Sequence, residues 1–213
     1  MVRIITLLLL GILLTSSSVA NAQTSVTVTP SANPTLLLIR GIVETVGAAG
    51  DAVGKLTDGV RKLVVASDDG WQTLSARRTH ASLVALSAGL TGLATSQRIG
   101  AIPALERYIG QPSVNSWPAV TAELEDVLKQ VNAILVQLNQ DRSDLVLQPA
   151  FAKLKITLGA RTSLLSELQA APAPITKAEL AELRTLLEKY RVLVAQLESA
   201  RDELNEYVRL KNQ

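Results

Sequence analysis

Hydrophobic residues recur every three to four positions over most of this chain, which is the spacing of one face of an α-helix. The pattern is clearest from about Pro34 to Ala66 and from Lys177 to Leu210. No segment shows the strict alternation of a half-buried strand. The pattern therefore predicts an all-α fold, an elongated antiparallel bundle of four to five helices.

The first helix is predicted to begin at Pro34, with Asn33 as its N-cap, because proline suits a first helical position and asparagine a cap. Five glycines interrupt this helix, and each costs about 1 kcal/mol relative to alanine. Such a helix is weak alone, so we expect neighbouring helices to hold it. The glycines are Gly41, Gly47, Gly50, Gly54 and Gly59.

The middle of the chain is divided by prolines and a short acidic turn. We predict a second helix over about Trp71 to Gln97, and a separate short helix around Pro103 to Ile109. A third helix should begin at Pro118. At Pro149 the apolar stripe slips by one residue, about 100° around the axis, which indicates a kink or a new helix there.

The last helix has the strongest local signals. Thr176 and Glu179 have the spacing of a capping box, which predicts a helix from Lys177. Its apolar stripe keeps heptad spacing but is widened at Leu186 and Leu193. A stripe this broad favours burial among several helices, and an intermolecular coiled coil remains the alternative.

The N-terminus has the three parts of an export signal. Arg3 supplies a positive charge, an apolar run follows from Ile4 to Leu14, and Ala20-Asn21-Ala22 is typical of a signal peptidase site. We therefore predict a signal peptide over 1–22, a flexible leader over 23–33 and a single helical-bundle domain over 34–213. The expected destination is the periplasm or the medium.

Composition removes several classes of function. Among 213 residues there is no Cys and one His, and the net charge is +2. Disulfides, thiol chemistry and lipoprotein acylation are excluded. A nearly neutral chain also gives no electrostatic case for a nucleic-acid partner.

No motif predicts catalytic, cofactor-binding or metal-binding residues. The segment 50–57 is only superficially similar to a phosphate loop, because three residues separate its glycines and Leu56 follows the lysine. His80 has no nucleophile motif to accompany it. The polar segment 139–144 lacks the central glycine and closing glutamate of a calcium loop.

Small residues and a gap in charge mark a possible membrane or packing contact. The 19 residues from Thr79 to Gln97 include no Asp, Glu, Lys or Arg. As a helix this segment is about 28 Å long, near the thickness of a bilayer core. The candidate contact residues are Ala85, Ala88, Gly89, Leu90, Gly92, Gly50 and Gly54.

These observations lead to a functional expectation. We expect an exported, non-enzymatic bundle that binds or scaffolds another envelope or extracellular protein, or a second copy of itself, without a cofactor. The alternative is a membrane-active protein that uses segment 79–97 and the glycine-rich helix 34–66.

Overall fold

A computed structural model describes residues 33–66, 74–140, 148–159, 167–168 and 170–210, and every regular element among them is helical. The predicted all-α fold is confirmed for these residues. The predicted signal peptide and nearly all of the predicted leader lie outside them. The elements are α1 (Pro34–Ala66), α2 (Leu74–Thr95), a π-helical segment (Ser96–Ala101), α3 (Ile102–Gly110), α4 (Trp117–Gln140), α5 (Gln148–Gly159) and α6 (Lys177–Leu210).

Both long helices begin where their capping signals predicted. The Asn33 side-chain oxygen accepts the backbone N–H of Thr35 at 2.9 Å. At the start of α6, Thr176 Oγ1 accepts the N–H of Glu179 at 3.2 Å, and the Glu179 carboxylate accepts the N–H of Thr176 at 2.9 Å. These reciprocal bonds satisfy donors that the first helical turn leaves free.

The predicted break after Gln97 is wrong, because α2, the π segment and α3 form one continuous rod from Leu74 to Gly110. In an α-helix, Pro103 would clash with the carbonyl of Ile99 and would leave it without a donor. The chain instead widens by one residue just before the proline. The N–H of Ile102 bonds to the Gln97 carbonyl, five residues back.

The most extensive interface joins α1 and α6, and these helices run parallel. Asn33 contacts Glu179 and Arg40 contacts Glu182, while Gly47 and Gly50 lie against Leu193 and Leu197. Partner numbers therefore increase together along both helices. The expectation of a purely antiparallel bundle is corrected for this pair.

The rod from Leu74 to Gly110 runs antiparallel to both α4 and α6. Gly89 lies against Ile134 whereas Gly100 lies against Glu123, so α4 runs opposite to the rod. His80 contacts Val208 and Arg98 contacts Glu198, so α6 also runs opposite to the rod. Because α1 lies parallel to α6, it also runs opposite to the rod.

Among the described residues, the apolar stripes of α1, α4, α5, α6 and the rod meet in one core. The broad stripe of α6 is buried within this single chain, including Leu186, Tyr190 and Leu197. Pro149 is the second residue of α5, so a helix begins at the predicted interruption. Of the two predicted alternatives, a kink and a new helix, this is the second.

Candidate functional site

The seven predicted contact residues do not share one surface. Gly50 faces α6, where a Cβ would lie 3.5 Å from the backbone N and Cα of Leu197. Gly89 and Gly92 face α4, and a Cβ at Gly89 would lie 2.9 Å from Ile134 Cγ1. These glycines let neighbouring helices approach closely.

The remaining four predicted residues have different surroundings. Leu90 is fully buried, Ala85 and Ala88 are exposed, and Gly54 has nothing within 4 Å of a built Cβ. The apolar side of segment 79–97 is therefore turned into the core. None of the helices in the described ranges is long and apolar enough to cross a membrane.

A more organised arrangement lies at the lower end of the bundle, the end where α1, α4 and α6 begin and α3 finishes. Here the non-helical segment 171–175 crosses the bundle and receives hydrogen bonds from three helices. Thr35 Oγ1 donates to the Pro172 carbonyl at 2.5 Å, and Tyr108 OH to the Pro174 carbonyl at 3.0 Å. Trp117 Nε1 donates to the Ala171 carbonyl at 3.2 Å. The segment is held by donors from α1, α3 and α4.

Aromatic packing supports two of these donors. The rings of Tyr108 and Trp117 meet edge to face, with centroids 4.9 Å apart and an interplanar angle of 61°. Burial raises the pKa of the Tyr108 hydroxyl, and the negative charge of Glu179 raises it further. Tyr108 therefore stays a hydrogen-bond donor over the whole physiological pH range. Trp117, the first residue of α4, is buried at this end of the bundle. The other tryptophan, Trp71, lies outside the described residues.

The Glu179 carboxylate joins this end to α1. Asn33 Nδ2 donates to Glu179 Oε1 at 2.5 Å, and the N–H groups of Ile175 and Thr176 donate to Oε2. These hydrogen bonds lower the pKa of Glu179, and the bond from Asn33 has the largest effect. The adjacent pair of Arg40 and Glu182, 2.5 Å apart, fixes the register of α1 and α6.

Large apolar side chains are exposed at this held end. Leu37 is 52% exposed, Ile175 53% and Val114 63%. Beside Leu37 a shallow apolar groove of about 510 Å³ runs between the start of α1 and the Ala171–Pro172 backbone. We call Leu37, Val114 and Ile175 the end surface.

Sequence reasoning missed the end surface because these residues come from three distant segments. Leu37 stands in an unbroken apolar run with Leu36 and Leu38, which are buried, and Ile175 is an apolar residue after two prolines. The sequence therefore marks neither position as exposed. Only the meeting of the helices shows that they lie at the same end.

The motifs considered for other chemistry have ordinary structural surroundings. Segment 50–57 is continuous α-helix, so its backbone N–H groups cannot form a phosphate loop. His80 Nε2 lies 3.2 Å from the Val208 carbonyl. Of segment 139–144, the structure describes only Asn139 and Gln140, at the end of α4. Across the described ranges, no three His, Asp or Glu residues are grouped to hold a metal ion.

No protein-family model, curated protein or solved structure matches this chain.

Proposed function

We propose that this protein is an exported, non-enzymatic helical bundle that binds or scaffolds another protein of the cell envelope or extracellular space. The contact is made through the end surface. The bundle itself acts as a stable spacer that presents this surface.

The observation that carries the proposal is the combination of fixed backbone and exposed apolar side chains at the lower end. Three helices donate hydrogen bonds to segment 171–175, so Ile175 is presented on an ordered backbone. Leu37 is presented on the first turns of α1, whose cap is bonded to α6. Binding then costs little ordering entropy, which favours association through these exposed apolar side chains.

Export rests on the sequence of residues 1–22, with their positive charge, apolar run and small-residue cleavage motif. Expression in the native host followed by N-terminal sequencing tests it directly. We expect the mature protein to begin at Gln23 in an exported fraction. Recovery of an uncleaved chain in the cytoplasm would contradict export.

The partner contact is tested by photo-crosslinking in living cells of the source. A photoreactive residue replaces Leu37 or Ile175, and the matched control replaces Val192, which is 58% exposed on α6. We expect one discrete adduct from both end-surface positions. Leu37→Asp should abolish the adduct that forms from position 175. Position 192 should not give this adduct. Equal adducts from all three positions, or none from the end surface, would contradict the proposal.

Flotation with liposomes and dye release distinguish the membrane-active alternative. Leu90 is fully buried, so Leu90→Asp would disrupt the fold and cannot report on lipid insertion. Val84, 44% exposed on the same helix, is the appropriate site. Lipid binding with leakage that is lost in Val84→Asp, at unchanged thermal stability, would replace the proposal with the alternative.

A further inference from the structure

We draw no further inference here: the strongest candidate, the apolar groove of about 510 Å³ at the lower end of the bundle between Leu37 on α1 and the Ala171–Pro172 backbone, belongs to the end surface already described, and nothing in the structure shows what covers it.

Discussion

The α1–α6 and α2–α4 interfaces both place glycines where two helices approach, yet their environments differ. Gly50 of α1 lies against the backbone of Leu197, within an apolar seam. Gly100 of the π segment lies beneath the Glu123 carboxylate, in an open polar groove. Glycine allows close apolar packing between α1 and α6, and it leaves room for a charged side chain between the π segment and α4.

This difference shows that a small residue acquires its role from the side chain opposite it. The atoms opposite Gly50 belong to the main chain of Leu197, which cannot move without moving α6. Opposite Gly100 is the end of a flexible side chain, which can swing into solvent. Substitutions at the two glycines should therefore differ strongly in cost.

Gly50→Leu should have the largest effect, a loss of about 3 kcal/mol or more in the free energy of unfolding. The new side chain must enter the space occupied by the Leu197 backbone, so α1 and α6 must separate. Urea denaturation measures the loss. Gly54→Leu is the matched control, because nothing lies within 4 Å of its Cβ position. An equal loss in both variants would show that α1 and α6 are not closely packed at Gly50.

Gln97→Leu should stabilise the protein by about 1–3 kcal/mol. Gln97 belongs to the same π segment as Gly100, but it is fully buried, and neither polar atom of its amide has a hydrogen-bond partner. Replacing the amide with an apolar group of similar size removes the cost of burying it. Gln196→Leu, at an exposed position on α6, should change stability by less than about 0.5 kcal/mol. Destabilisation by Gln97→Leu would mean that the amide is hydrogen-bonded in solution.

Glu179→Gln should cost about 1 kcal/mol at neutral pH, because it weakens the cap of α6 and the bond from Asn33. The folded protein lowers the Glu179 pKa from its usual 4.5. The carboxylate therefore stabilises the fold above that value, and its contribution is lost as the pH falls through the lower, folded pKa. Thermal denaturation across pH 2–7 should show the two proteins converging in acid. A constant difference at every pH would assign the effect to something other than ionisation; Glu203→Gln, at an exposed position, is the control.

Gly100→Ala should change stability least, by less than about 1 kcal/mol. Alanine favours the helical backbone, and the displaced Glu123 carboxylate can move into solvent. Gly89→Ala is the comparison, because its methyl group would meet the Cγ1 methylene of buried Ile134, close to the branch point of that side chain. Chemical denaturation should give a clearly lower free energy of unfolding for Gly89→Ala than for Gly100→Ala. If Gly100→Ala is the more damaging, Glu123 is fixed rather than mobile.

Much of the local structure could be predicted from the sequence. The caps at Asn33 and Thr176, both ends of α1 and α6, and the new helix at Pro149 follow from interactions within about four residues. The π segment could not be predicted in this way. Pro103 signals an interruption, but whether the chain breaks or widens by one residue depends on the helices packed against it.

The candidate sites show the same division. The sequence marked Gly50, Gly89 and Gly92 as contact residues without indicating which helix each would contact. It gave no sign that Thr35, Tyr108 and Trp117 would all donate to one segment. Such meetings depend on the order in which the helices pack.

The sequence by itself determined an all-helical chain with its caps, stripes and proline interruptions, because these depend on neighbours along one helix. Only the tertiary structure decided that α1 and α6 lie parallel. The contacts that set their register join residues 142 and 146 positions apart. Apolar burial is not directional, so a stripe alone does not name its neighbour, whereas the bonds of Asn33 and Arg40 join particular residues of α1 and α6.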